Sequence, residues 1–248
     1  MKPGLFRHLT IAAAAITMAV GVSNSDAKAA DPIKIGSFLA VTGGASFLGD
    51  PEKKTLEMYV NKINADGGVI GRKLELILYD DQGNPANTVP FVKRLINDDK
   101  VDILLAGSTT GSTMAAIPFV EKAGIPFISF GGAGVITSPV KKWVFKTPHT
   151  DTLAVQKIFT DMKARGISKV GLLSGSGGFD KSCRKQVQTL APGSGMTVVA
   201  DETHGKGDTD MTPQITKIKN TSGVQVSMYC GFGAATSIVA KNFKQLGV

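Results

Sequence analysis

The sequence is sparing with the residues on which most catalytic and metal chemistry depends. Its 248 residues include two cysteines, three histidines and one tryptophan. His8 lies in an N-terminal segment set apart below, which leaves His149 and His204 with no partner at metal-ligand spacing. Nothing in the spacing of Cys183 and Cys230 points to a metal either. The loop Gly107-Ser108-Thr109-Thr110-Gly111-Ser112-Thr113 contains no lysine, so it is not a phosphate loop of the Walker type. Gly131-Gly132-Ala133-Gly134 misses the G-x-G-x-x-G spacing of a dinucleotide site. A hydroxyl nucleophile needs an adjacent general base, and no serine, histidine and acid constellation stands out beside Ser108 or Thr110. Enzymatic turnover is therefore not expected, and the pattern names no catalytic residue, cofactor or metal.

Long apolar runs are also missing beyond the first 29 residues, so no later segment reads as a membrane span. Residues 1–29 themselves have the order of a secretory leader: Lys2 and Arg7, an apolar run from Leu9 to Val22, then Ala27-Lys28-Ala29. Cleavage is expected after Ala29, placing the mature chain in the periplasm. The first cysteine is Cys183, so no lipid anchor on a new N-terminal cysteine is expected. Export also permits a disulfide. The whole chain carries a net charge of +8, and setting aside Lys2, Arg7, Lys28 and Asp26 leaves +6. Lysines and arginines are scattered among acids, with one dense pair at Lys141-Lys142. Nucleic-acid binding calls for basic residues clustered with aromatics, so it is not expected. A basic surface still attracts anionic ligands.

Beyond the leader, strand-like and helix-like stretches alternate. Apolar runs at 33–38, 74–79, 101–106, 125–130, 170–174, 196–200 and 224–230 read as buried parallel strands. Between them, Leu56, Tyr59, Val60 and Ile63 share a helical face, as do Val89, Val92, Leu95 and Ile96, and Val155, Ile158, Phe159 and Met162. Asn84-Pro85 reads as an N-cap with proline in the first turn, and Gly67-Gly68 as a left-handed helix stop. The fold class is α/β, with doubly wound parallel sheets in two lobes, 30–148 and 149–248. Trp143 to Asp151 reads as the crossover between them. The strands at 170–174 and 224–230 should be neighbours, which brings Cys183 and Cys230 near one sheet edge and within reach of a disulfide.

Ligands of doubly wound sheets bind at the carboxyl ends of strands. Two such ends are rich in small and hydroxyl residues: the loop 107–113 and Ser129-Phe130-Gly131-Gly132-Ala133-Gly134. Exposed N–H groups and hydroxyls at a helix start make an anion site. Simple N-capping is the competing explanation.

The residues then resemble a known family. The matching stretches are Ile33-Lys34-Ile35-Gly36, Leu39-Ala40-Val41-Thr42-Gly43, Ile63-Asn64-Ala65-Asp66-Gly67-Gly68-Val69-Ile70-Gly71-Arg72-Lys73, Tyr79-Asp80-Asp81-Gln82-Gly83-Asn84-Pro85, Ala123-Gly124-Ile125-Pro126 and Gly207-Asp208-Thr209-Asp210. From about residue 32 onward, the chain resembles the periplasmic substrate-binding proteins of ABC importers, in the branched-chain amino acid (leucine/isoleucine/valine-binding) group. The resemblance implies a type I periplasmic-binding-protein fold whose two lobes trap a small carboxylate. It implies a membrane permease and an ATPase as partners, and a monomer. Thr110, with Thr109 beside it, matches the hydroxyl position that holds the ligand carboxylate. Gly131, Gly132 and Ala133 match the second backbone-lined loop. Leu48 falls where amino-acid binders often carry an aromatic ring, and Phe179 and Phe232 match aromatic positions of the second lobe.

The departures point to the ligand. Ala133 stands where amino-acid binders place a threonine for the α-ammonium, and Phe179 and Phe232 lack tyrosine hydroxyls. An unpaired buried ammonium is costly, which favours an organic acid, aromatic in character, over an α-amino acid. Family members continue beyond Val248, so the second lobe is expected to be incomplete and to bind weakly as it stands. A sensory domain signalling through a partner protein, and a truncated receptor without function, are the alternatives.

The leader gives the first prediction. The protein recovered from the periplasm should begin at Ala30, and an intact mass that retains residues 1–29 would refute the cleavage.

Overall fold

Short apolar runs, each followed by an amphipathic stretch, fold into two parallel sheets. A computed structural model describes residues 30–248, so the expected leader lies outside the described residues. The first sheet holds β1 (Ile33–Leu39), β2 (Leu74–Asp80), β3 (Ile103–Ala106), β4 (Phe127–Ser129) and β5 (Val144–Lys146) in the order β2-β1-β3-β4-β5. Every pairing in it is parallel. Its helices are α1 (Ser46–Ala65), α2 (Pro85–Asn97) and α3 (Thr110–Ala123). The second sheet holds β6 (Lys169–Ser174), β7 (Thr197–Thr203) and β8 (Val226–Cys230) in the order β7-β6-β8, again parallel. It is flanked by α4 (Asp151–Ala164), α5 (Gly178–Leu190), α6 (Thr212–Asn220) and α7 (Ala234–Gln245).

Local signals act where the sequence places them. Asn84 accepts a hydrogen bond from the Ala86 N–H, with Pro85 opening α2. The N–H of Gly68 returns to the Ile63 carbonyl at 2.8 Å, past the end of α1. Gly68 has φ +86°, and a Cβ there would lie 2.0 Å from the Arg72 carbonyl oxygen, so only glycine allows this turn. The stretch Trp143–Asp151 is more than a crossover. Val144–Lys146 pairs with β4 as a fifth strand, Val144 opposite Phe127. The three residues Val144–Lys146 are too few to show any periodicity, so tertiary pairing decides their state.

The nearly continuous apolar strands are covered on both faces. In the second lobe Val170 and Leu172 of β6 pack with Val155, Phe159 and Val187. Leu173 points the other way, onto Met211, Ile215 and Ile218. Gly171 lets α6 approach, since a Cβ there would lie 2.4 Å from Ile218. In the first lobe Phe38, Leu104 and Phe127 form the centre with Val92, Leu95 and Val120. The helical faces read from the sequence hold in part: Tyr59 and Ile158 point outward, while Val60, Val155, Phe159 and Met162 are buried.

Cys183, early in α5, and Cys230, at the end of β8, are joined by a disulfide, with Cα atoms 5.7 Å apart. The bond spans 47 residues, for which the chain-entropy relation gives a stabilisation of about 4 kcal/mol. Denatured, unreduced protein should therefore show no reactive thiol. A Cys183→Ser/Cys230→Ser variant should lose roughly 2–5 kcal/mol in denaturant titration. Two titratable thiols per chain would remove the bond from the native protein.

Candidate ligand-binding site

Parallel strands deliver their carboxyl ends to one edge of each sheet, and the two edges face each other across the lobe junction. On the first lobe, β3 is followed by Gly107, whose φ of +80° turns the chain toward α3. Thr109 caps that helix, its Oγ1 accepting from the Ser112 N–H at 3.2 Å. Thr113 Oγ1 shares a 2.7 Å hydrogen bond with Ser129 Oγ, which also accepts from the Gly131 N–H at 2.9 Å. The ends of β3 and β4 are thus fastened together. Ser108 Oγ accepts from the Ala40 N–H at 3.0 Å and donates to the Glu52 carboxylate, tying the loop to α1.

Thr110 is the exception in this network. It is 2% exposed, and its Oγ1 is buried without a hydrogen-bond partner. It is also the first residue of α3, where the backbone N–H groups have no acceptor within the helix.

Thr110 lies on the wall of an apolar cavity of about 260 Å³ between the lobes. Phe47, Leu48, Thr109, Phe130 and Gly132 line it from the first lobe, with Pro148 from the crossover, and Phe179 and Phe232 from the second. The Phe232 ring is 6.2 Å from that of Phe47 and 6.0 Å, edge-on, from that of Phe179. Phe179 packs against the cores of both lobes. A second cavity of about 360 Å³ shares Thr109, Thr110, Phe179 and Phe232 with the first, and adds Gln82, Asp180, His204 and Lys206.

Of the residues expected from the sequence, Leu48, Thr109, Thr110, Gly132, Phe179 and Phe232 meet around the apolar cavity. Gly131 and Ala133 are buried and do not line it. The loop turns inward there. A Cβ on Gly131 would lie 2.7 Å from Ile136, and Ala133 belongs to the first-lobe core. The side chain at 133 therefore packs into the first-lobe core and not onto the cavity wall.

Sequence reasoning passed over Phe47, Pro148, Glu52 and Asp180. Phe47 and Glu52 sit one turn apart or so on α1, among residues with no periodic signal toward a site. Asp180 looks like an ordinary first-turn acid of α5. His204 forms hydrogen bonds with the Gly205 carbonyl and the Tyr229 hydroxyl.

Two links hold the lobes at the crossover. Lys146 Nζ donates to the carbonyls of Gly132 at 2.6 Å and His149 at 3.2 Å. Burial lowers its pKa, and the nearby Asp151 opposes the shift. Asp151, at the start of α4, accepts from the Gly134 N–H at 2.8 Å.

Glu52 is the most perturbed acid near the site. Burial pushes its carboxyl up to about 7 from 4.5, against the Ser108 hydrogen bond and with help from the charge of Asp81. Between about pH 4.5 and 7 the folded state holds a proton that the unfolded chain has released. That contribution is complete below pH 4.5 and is lost as pH rises through about 7.

Comparisons with known proteins bear on this geometry. The sequence profile of the periplasmic binding protein family matches residues 32–248. The chain is 28% identical over 250 residues to the leucine-, isoleucine-, valine-, threonine- and alanine-binding protein of Pseudomonas aeruginosa, covering 100% of this chain and 66% of that protein. It resembles the crystal structure of the branched-chain amino acid transporter substrate-binding protein of Streptococcus pneumoniae in complex with isoleucine. The TM-score is 0.77 at 25% identity, over 87% of this chain and 62% of that one. It also resembles a solute-binding protein of an ABC transporter from Rhodopseudomonas palustris in complex with 3,4-dihydroxybenzoic acid. There the TM-score is 0.75 at 24% identity, over 88% of this chain and 59% of that one. The chain thus spans less than two thirds of the length of these proteins.

Glu52 supplies the prediction of this section. Unfolding measured in urea should show wild-type stability falling from pH 5 to pH 8 relative to Glu52→Gln, which keeps an acceptor for Ser108 but cannot ionise. Parallel stability curves for the two proteins would show that Glu52 carries no such proton.

Proposed function

The chain belongs to the periplasmic binding protein family, and from that premise we propose that it is the solute receptor of an ABC importer, capturing a small carboxylate between its lobes. The family is one of binding proteins, not of enzymes. The observation that carries the proposal is the buried, unpartnered hydroxyl of Thr110 at the start of α3. A buried hydroxyl without a partner costs about 1–3 kcal/mol, and a ligand carboxylate removes that cost. The free N–H groups of the same first turn favour negative charge there.

The neighbouring surface sets the rest of the ligand. Phe47, Leu48, Phe130, Phe179 and Phe232 offer an apolar space of about 260 Å³, which suits a branched aliphatic or an aromatic group. Every amino acid in the name of the P. aeruginosa relative is a carboxylate, as is the isoleucine held by the S. pneumoniae protein. The partners proposed with this role are a membrane permease and an ATPase, and the compartment is the periplasm.

Closure on ligand would be stabilised by the aromatic contact of Phe232 with Phe47 across the junction, worth about 0.5–1.5 kcal/mol beyond burial. Calorimetry with leucine, isoleucine and 3,4-dihydroxybenzoate tests the reading. Losing a charge-assisted hydrogen bond, worth about 1.5–3 kcal/mol, makes Thr110→Ala weaken the bound acid roughly 10- to 150-fold. An unchanged affinity would take Thr110 out of the site, and no binding of any acid would overturn the receptor reading.

A further inference from the structure

The disulfide joins the two segments that carry the second-lobe wall of the apolar cavity. Cys183 lies four residues after Phe179 on α5, so the two side chains share one helix face. Cys230 ends β8, and Phe232 follows two residues later. One covalent bond thus ties together the stretches that bring Phe179 and Phe232 to the cavity.

Both stretches are rich in glycine. Phe179 follows Gly175-Ser176-Gly177-Gly178, and Phe232 stands between Gly231 and Gly233. Glycine leaves the backbone more freedom than any other residue, so it holds a neighbouring side chain in place less firmly. The pairing of β8 with β6 ends at Cys230, and α7 begins at Ala234, so Phe232 lies in neither a strand nor a helix. Cys183 and Cys230 are 7% and 1% exposed and pack with Val155, Phe159 and Val187. The bond is therefore fixed in the core of the second lobe, right beside two glycine-rich turns.

The rings themselves leave little room for error. Phe179 and Phe232 meet edge-on with centroids 6.0 Å apart. Phe179 stands against Gly132 of the first lobe, where a Cβ would already lie 3.2 Å from the ring. Phe232 reaches the Phe47 ring at 6.2 Å. A gap of about 0.5–1 Å forfeits a quarter to a half of a dispersion contact, so a small shift of either ring would loosen its hold on an apolar ligand group.

We propose that the Cys183–Cys230 disulfide is a positioning element of the ligand site. It holds Phe179 and Phe232 in the arrangement that receives the apolar part of the ligand, so its removal weakens binding beyond what lost stability explains. The proposal rests on the reading of the apolar cavity as the ligand site. A wall already in place need not be ordered by the ligand, and the ordering cost avoided appears as affinity. Loop closure acts on the unfolded chain, whereas this effect acts on the folded site, and the two are separable by experiment.

The competing explanation is that the bond stabilises the lobe and nothing else. Cys183→Ala/Cys230→Ala removes the bond, while Ile215→Ala weakens the same lobe from the other face of its sheet and leaves the bond intact. The whole chain is studied at a temperature where circular dichroism shows every variant folded. With isotope-labelled phenylalanine, NMR of the wild type should show a cross-peak between the Phe179 and Phe232 rings. A second should join Phe38 and Phe127 of the first lobe, whose centroids are 5.7 Å apart. The double variant should lose the first cross-peak and keep the second. In calorimetry it should bind the tightest of leucine, isoleucine and 3,4-dihydroxybenzoate roughly fivefold or more weakly than the wild type. Ile215→Ala should keep both cross-peaks and stay within about twofold of the wild-type affinity. Should the alanine pair fail to fold, Cys183→Ala/Cys230→Val refills the volume of the sulfurs without a tether and carries the same expectations. A Phe179–Phe232 cross-peak that survives removal of the bond, an affinity unchanged by it, or an equal loss in Ile215→Ala would overturn the positioning role and leave the receptor reading standing. A wild type that binds none of the three acids would overturn both.

Discussion

Each strand of a parallel sheet points its carboxyl end to the same edge, and each helix that follows begins there with N–H groups lacking a partner in the helix. This one constraint organises the molecule. It places the starts of α2, α3, α5 and α7 around a single cavity, through Pro85, Gly111, Gly178 and Ala234. Much of the positive character of these starts is absorbed locally. Thr109 caps α3, Asn84 caps α2 and Asp180 caps α5 with one of its oxygens. Among the residues lining this cavity, the Thr110 hydroxyl and one oxygen of Asp180 are buried without a partner.

The closeness of the two edges depends on small residues opposite large ones. A Cβ on Gly132 would come within 3.2 Å of the Phe179 ring, and one on Gly233 within 3.3 Å of Phe47 and of the Gly44 carbonyl. Glycines at these places let Phe47, Phe179 and Phe232 converge across the junction. The same rings that join the lobes therefore also wall the apolar cavity. Packing energy and ligand shape are set by one group of side chains, so a change in any of them would alter closure and specificity together.

The fold was largely legible in the sequence because its signals are local. Apolar runs such as Val170 to Ser174 name buried strands, and Asn84-Pro85 and Gly67-Gly68 fix helix boundaries through backbone chemistry that any context would preserve. Val144–Lys146 was not legible, since its pairing with β4 is a tertiary event. The lining of the apolar cavity was half legible. Thr109, Thr110 and the two phenylalanines follow from loops at strand ends and from the family resemblance. Ala133 did not follow, because the direction in which a loop turns depends on Ile136 and Asp151 behind it. Asp180 and Glu52 were hidden for another reason: a charged residue on a helix normally faces water, and only tertiary packing buries Asp180 and half-buries Glu52.

Those two acids divide the electrostatic work around the junction. Glu52 receives the Ser108 hydroxyl, and Asp81 nearby favours its neutral form, so its charge is muted where a ligand carboxylate would approach from the α3 side. Asp180 has Lys206 and His204 beside it, which favour its charged form, while burial resists. The Thr110 side of the junction therefore presents N–H groups and an acid whose neutral form is favoured, and the α5 side an acid with one oxygen lacking a partner. The chain beyond the leader is basic overall, at +6, so bulk charge would draw in anions without discrimination. Inside the junction the two acids differ in how well the protein satisfies them: Glu52 has the Ser108 hydroxyl, while one oxygen of Asp180 has no partner.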